Sequence, residues 1–73
     1  MEMTIHSTDK IVEINGIPTR VWEGVSASGI RVHTYIIRVA VKRGDDVTEF
    51  QRELQECIPP TPEVAAMPAA IKL

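Results

Sequence analysis

Two short runs in which apolar and polar residues alternate flank the pair Asn15-Gly16. Asn-Gly is the preferred pair for a two-residue type I′ turn, because both central positions of that turn need a positive φ. The pattern predicts a first strand over Lys10–Ile14 and a second over Ile17–Glu23. Because so short a turn fixes the register, we expect Val12 to lie opposite Thr19.

A third alternating run extends from Ile30 to about Val41, after a small loop that runs from Gly24 to Gly29. Pairing Val21 with Val32 places like residues side by side on both faces, so we expect that register. The predicted core face then consists of Val12, Ile14, Ile17, Thr19, Val21, Val32 and Ile36.

The apolar positions of this third strand change phase, which an extra residue at Ile36–Ile37 would explain as a β-bulge. The alternative is that the C-terminal half of this third strand is buried on both of its faces. In either case Ile37, Val39 and Val41 run past the first turn, where the second strand offers no partner. We expect the C-terminal segment, the N-terminal arm or another copy of the chain to pair with residues 37–41, with these three side chains as an interface.

A helix is predicted over residues 46–57. Asp46 is suited to be its N-cap, and Glu49 three residues later completes a variant of the capping box. Pro59-Pro60 ends the helix, because the residue before a proline is pushed out of the α region. The stripe that we expect to cover the core face consists of Val47, Phe50, Leu54 and Cys57.

The two ends of the chain carry weaker patterns. Residues 1–8 are polar and unpatterned, which predicts a flexible arm. Residues 58–73 form a proline- and alanine-rich extension, at whose end Ala69–Leu73 could add a short edge strand. We therefore predict one α+β domain over residues 1–73, a three-stranded antiparallel β-meander over residues 10–41 followed by one α-helix packed on one sheet face, in the order β-β-β-α.

Length and charge narrow the function. A chain of 73 residues buries little of its surface, so we expect marginal stability unless something supplements the core, and the single cysteine excludes an intrachain disulfide. The net charge of −2 does not favour nucleic acid or a membrane as a partner, and no apolar run is long enough to cross a bilayer. The first residues lack the pattern of a signal peptide. We expect a cytoplasmic protein that is stabilised as a homodimer.

Catalytic and metal chemistry finds little support in the sequence. Cys57 lies on the apolar stripe of the helix, where a small core residue is expected, and no nucleophile is patterned with His6 or His33 as its base. One cysteine and two distant histidines do not make a metal site, and there is no glycine-rich phosphate loop. We predict no enzyme, no cofactor and no bound metal.

The outer face of the predicted sheet is the one suggestive constellation. Aromatic side chains beside arginines can stack bases and contact phosphates, and the same residues are enriched in the hot spots of protein interfaces. A third interpretation is structural, in which Trp22 packs over Ile11 and the stems of the arginines. The candidate binding residues on this face are Arg20, Trp22, Arg31, His33 and Tyr35.

The stretch from Ile14 to Gly24, continued from Gly29 to His33, resembles small uncharacterised proteins carried by proteobacterial phages and related mobile elements. The resemblance contains no motif of known chemistry and implies a bacterial or phage origin and a cytoplasmic location. The order of three antiparallel strands and a helix is also similar to the DNA-binding domains of some phage-type integrases and of one family of plant transcription factors. Those domains read the major groove with many arginines, whereas here only Arg20 and Arg31 are well placed.

An exposed apolar or aromatic patch on so small a domain marks an interface. The sequence therefore predicts a non-enzymatic protein-interaction module that self-associates through its third strand or through the Trp22 face. The alternative is a small regulator that binds nucleic acid through the outer face of the sheet.

Overall fold

A mixed four-stranded sheet and two helices make up the fold, which a computed structural model describes over residues 1–73. The elements in chain order are β1 (Met3–Ile14), β2 (Ile17–Ser26), β3 (Arg31–Ile36), α1 (Val47–Leu54), α2 (Pro62–Ala65) and β4 (Ala70–Ile71). β1, β2 and β3 form the predicted antiparallel meander, which confirms the α+β class. β4 adds a short parallel strand beside β1, so the strand order is β3-β2-β1-β4.

The first hairpin has the predicted turn and register. Asn15 and Gly16 have φ angles of 52° and 83°, the left-handed values that a type I′ turn requires. Val12 lies opposite Thr19 as expected, and both residues are buried. Local turn chemistry therefore specifies this half of the sheet.

The first strand is longer than predicted. It begins at Met3, and residues 3–7 pair with the second half of β2, so the prediction of a flexible arm over residues 1–8 is wrong. Residues 3–7 carry mostly polar side chains, which gave no alternation to read, but their main chain completes the ladder of β2.

A bulge interrupts β1. For the third strand the sequence predicted either a bulge at Ile36–Ile37 or a terminal half buried on both faces, but β3 ends at Ile36, and Ile37 and Val39 are exposed. The register of β1 with β2 shifts between Ser7 and Ile11. Thr8 lies in this bulge without any exposed surface, and its hydroxyl donates a 2.6 Å hydrogen bond to the carbonyl oxygen of Val21. A side chain thus satisfies a main-chain acceptor where the ladder is interrupted.

The second hairpin has a shorter turn than predicted. β2 continues to Ser26, and the turn consists of Ala27, Ser28 and Gly29, whose φ of 86° is typical of the left-handed residue that ends a three-residue hairpin loop. The register that follows places Val21 opposite Tyr35 instead of Val32. Since this is an odd shift and side chains alternate, every residue of β3 lies on the face opposite to the predicted one.

The core lies between the sheet and the C-terminal segment. Val12 and Val21 are completely buried, as predicted, and Val64 of α2 closes the core over them. The half-buried residues that pack around these three are Ile14, Tyr35, Met67 and Ile71. Of the other residues predicted for the core face, Val32 and Ile36 are half-buried on the opposite face and Ile17 is 48% exposed.

The helix α1 begins as predicted but does not cover this core. Asp46 is its N-cap, and the Asp46 carboxylate accepts a 2.9 Å hydrogen bond from the Glu49 amide. The helix ends at Leu54 rather than at Cys57, none of its residues is buried, and Val47 is 51% exposed. Val64 occupies the position over the core that the sequence assigned to α1, and the register of β3 places its apolar even-numbered residues on the other face of the sheet.

Candidate interaction surface

The five candidate binding residues do not share one surface. Trp22 lies opposite Thr34 of β3, while Tyr35 lies opposite Val21 and His33 opposite Glu23. Arg20 and Trp22 therefore occupy one face of the sheet, and Arg31, His33 and Tyr35 occupy the other, which is the core face. The prediction that the five form one cluster is wrong because it assumed the longer turn.

Arg20 is held by contacts within the chain. Its Nη1 atom donates a 2.7 Å hydrogen bond to the Thr8 carbonyl oxygen and lies 3.3 Å from the sulfur of Cys57. Trp22 is half-buried and borders a shallow depression together with Ile5 and Cys57. The guanidinium of Arg20 thus serves to fasten the bulge of β1 to the segment that follows α1.

Arg31, His33 and Tyr35 make weak contacts at the rim of the core. The Tyr35 hydroxyl lies 3.3 Å from Nε2 of His33, and the two rings pack edge to face with centroids 5.5 Å apart. Arg31 lies 3.9 Å from a carboxylate oxygen of Glu63, with both side chains more than four-fifths exposed. Such an exposed ion pair contributes little to stability.

A cleft of about 310 Å³ separates the end of the β2–β3 hairpin from the segment before α2. Glu23 lies in this cleft, and its two carboxylate oxygens accept hydrogen bonds of 2.9 Å and 2.6 Å from the amide and the hydroxyl of Thr61. The Thr61 contact anchors the C-terminal segment to the sheet. Its residues are far apart in sequence, and no local pattern indicated that they would meet.

The outer edge of β3 has no partner in the chain, because β3 is the end strand of the sheet. The Ser26 amide donates to the Ile30 carbonyl oxygen at 2.9 Å, which shows that the even-numbered residues of this strand direct their main chain toward β2. In an antiparallel ladder the odd-numbered residues then direct theirs outward. The free amide and carbonyl groups are those of Arg31, His33 and Tyr35.

The three candidate interface residues continue this edge beyond the end of β3. The strand was predicted to reach Val41, but it ends at Ile36 and the chain bends at Ile37. Residues 37–41 make no main-chain hydrogen bond, so neither terminal segment pairs with them. Ile37 is 66% exposed and Val39 is 42% exposed, while Val41 is half-buried beside Phe50 in a shallow depression.

Charge is distributed unevenly around this edge. Residues 30–43 contain four basic side chains and no acidic one, although the whole chain carries a net charge of −2. The basic residues of the segment are Arg31, Arg38, Lys42 and Arg43. α1, which follows, carries acidic residues, and its Arg52 lowers the pKa of the Glu49 carboxyl below the ordinary value through a side-chain hydrogen bond.

No three side chains among His, Cys, Asp and Glu come together in a way that could hold a metal ion. None of the helices has both the length and the apolar character needed to cross a membrane. In comparisons with protein-family models, with curated proteins and with solved structures, nothing matches this chain. The resemblance to phage proteins therefore stays a prediction, and so does the absence of enzymatic activity.

Proposed function

We propose that this chain is a non-enzymatic protein-interaction module that self-associates by adding a strand of a second copy to the open edge of β3. The observation that carries the proposal is a continuous run, residues 31–41, with free main-chain groups on its outer side and exposed apolar side chains along it. Such an edge is a template for pairing with another chain.

The small size of the core favours additional stabilisation by a second chain. Only Val12, Val21 and Val64 are both apolar and buried, and the chain has no disulfide. Domains of this length commonly gain the missing stability from a staple or from oligomerisation. Strand addition provides it through main-chain hydrogen bonds and through burial of Ile37 and Val39.

The β3 edge is a better interface than the Trp22 face. Trp22 is already half-buried, and the guanidinium of Arg20 beside it is occupied by Thr8 and Cys57. By contrast, the outward main-chain groups of β3 have no partner in the chain. Free hydrogen-bonding groups next to apolar surface favour association at the edge.

Light scattering at micromolar concentration tests the proposal, and we expect about twice the chain mass of 8.1 kDa. The double variant Ile37→Lys/Val39→Lys should be monomeric, because lysines on an edge strand oppose pairing. Ile17→Lys is the matched control, since Ile17 is an isoleucine that is 48% exposed in the other hairpin. A wild-type chain that is monomeric at every concentration refutes the proposal.

Nucleic-acid binding is the rival hypothesis. In the form predicted, it requires Arg20, Trp22, Arg31, His33 and Tyr35 on one surface, and these residues lie on two faces. A mobility-shift assay over a salt series tests it, because phosphate contacts make affinity fall steeply with salt. A shift at low salt that weakens in this way would favour the rival, and no shift at low salt would eliminate it.

A further inference from the structure

We infer that two copies of the chain pair in antiparallel fashion over residues 31–41, with their two-fold axis at Ile36. This register rests on the proposed self-association and specifies which residues of the two copies meet. The partner of β3 is a second copy of the chain, because residues 37–41 of that copy also lack main-chain hydrogen bonds and can pair with the outer edge of β3.

The main chain restricts the registers that are open to such a dimer. Only the odd-numbered residues of β3 direct their amide and carbonyl groups outward. An antiparallel pair therefore forms hydrogen bonds only if odd residues of one copy lie opposite odd residues of the other. This condition places the two-fold axis on a residue and excludes every axis between two residues.

The two-fold axis is selected among these residues by the length of the run, residues 31–41, whose outer side has no partner. The run begins at Arg31 and ends at Val41. An axis at Ile36 is the one choice that gives every residue of this run a partner within the same run of the second copy. The hydrogen-bonded pairs are then Arg31 with Val41, His33 with Val39 and Tyr35 with Ile37.

Side-chain chemistry agrees with this register on the core face. Tyr35 is half-buried against the core next to Val21, and Ile37 of the second copy would lie on its other side. The row from Val21 through Tyr35 to this isoleucine continues the core across the interface. Aromatic and β-branched residues in such cross-strand pairs stabilise sheets.

Side-chain chemistry also agrees on the opposite face. Arg38 of one copy lies opposite Thr34 of the other, so no two basic residues are directly opposed; an axis at Arg38 would oppose them. The Thr34 hydroxyl is buried and has no hydrogen-bond partner within the single chain. In the dimer, a hydrogen-bond donor of the second copy next to the Thr34 hydroxyl would satisfy this buried oxygen.

Residues 37–41 must straighten for this pairing, and little holds them in their bent course. They form no main-chain hydrogen bonds, and α1, which follows them, has no buried residue. Val41, which is half-buried and lines a shallow depression with Phe50, is the one residue of this segment that is not exposed before the change.

Disulfide trapping tests the register in a Cys57→Ser background, which removes the native thiol. Directly opposed residues of a non-hydrogen-bonded pair have Cα atoms about 4.5 Å apart, within the range of about 4.4–6.8 Å that a disulfide spans. Ile36→Cys should therefore form a covalent dimer on mild oxidation. Thr34→Cys and Arg38→Cys should not do so alone, but an equimolar mixture of the two should form a covalent heterodimer.

At a chain concentration of about 10 μM, the expected rate of this mixed cross-link is on the order of a hundredfold above that of either single variant, because a paired thiol has an effective concentration of about a millimolar. Circular dichroism checks that each variant is folded. The mixture of Thr34→Cys and Arg38→Cys also tests the register without substituting Ile36, the residue on the proposed two-fold axis. If the chain is a dimer by light scattering but Thr34→Cys or Arg38→Cys links to itself, the register is wrong and the proposed function stands. A dimer in which none of these thiols link places the interface elsewhere, and a monomer overturns both proposals.

Discussion

The two edges of the sheet differ in length and in what lies against them. The β4 edge consists of Ala70–Ile71, and the chain end beyond it is tied down because the Leu73 amide donates a 2.8 Å hydrogen bond to the Asn15 side chain. The β3 edge is a six-residue strand that continues into residues 37–41 without a partner. Natural sheets avoid association by keeping edges short or covered. The β4 edge follows that rule and the β3 edge does not, which locates the candidate interface on one side of the molecule.

The covered side depends on the C-terminal segment. Val64 enters the core, Thr61 is bound by Glu23, and the amide of Ile58 donates a 2.9 Å hydrogen bond to the Ser7 carbonyl oxygen. The segment therefore acts as a strap across the sheet, anchored at several points. The β3 side has no comparable strap, because α1 leaves the sheet with no residue buried.

The largest expected effect comes from breaking the covered side at its core. Val64→Ala should lower the free energy of unfolding by about 2 kcal/mol, because it leaves a cavity in a core with few other members. Chemical denaturation measures the loss. Leu73→Ala is the control, since Leu73 is 79% exposed and its truncation should change stability by no more than about 0.5 kcal/mol. Equal effects of the two substitutions would show that the strap is not part of the core.

A smaller effect is expected from the hydrogen bonds between Glu23 and Thr61, which anchor the strap just before α2. Glu23→Gln should lower the free energy of unfolding by about 1 kcal/mol, because the Thr61 amide and hydroxyl lose a charged acceptor. Thr61→Val removes the hydroxyl alone, and the double variant completes a mutant cycle. Strictly additive losses would contradict the contact. Light scattering of Glu23→Gln should give the same mass as the wild type, because the β3 edge is unchanged.

The smallest effect concerns the uncovered side of the sheet, where α1 has no buried residue. Arg52 holds the pKa of the Glu49 carboxyl below its ordinary value through a hydrogen bond. Because the pKa of Glu49 is lower in the folded chain than in the unfolded one, the ionised carboxylate stabilises the helix at pH values above the unfolded pKa. This stabilisation is lost as the pH falls through the folded pKa. The loss should be slight and salt-sensitive, because both side chains are exposed.

An NMR titration of the Glu49 side chain measures this shift directly. Arg52→Gln should return the Glu49 pKa toward the ordinary value while the chemical shifts of β1 and β2 stay unchanged. Identical titration curves in the wild type and in this variant would argue against the ion pair. A change that spread into the sheet would instead show that α1 is coupled to it.

The candidate surface was predictable only in part. The alternation of Ile37, Val39 and Val41 identified a segment that runs past the first turn, and the structure leaves these residues unpaired in the single chain. The cluster around Trp22 was not predictable, since it depended on the length of the second turn. Gly29 rather than Gly24 is the turn glycine, and both are compatible with a hairpin in the sequence pattern.

Short-range chemistry was sufficient to specify the first hairpin and the start of α1. A type I′ turn needs two residues with positive φ, and an N-cap needs one acceptor near the first free amides, so neighbouring residues settle both. Long-range packing specified which face of β3 lies on the same side of the sheet as the core, and that Val64 closes the core. A change of three residues in register reverses every side chain of a strand, and the contacts that select one register come from residues far away in the chain.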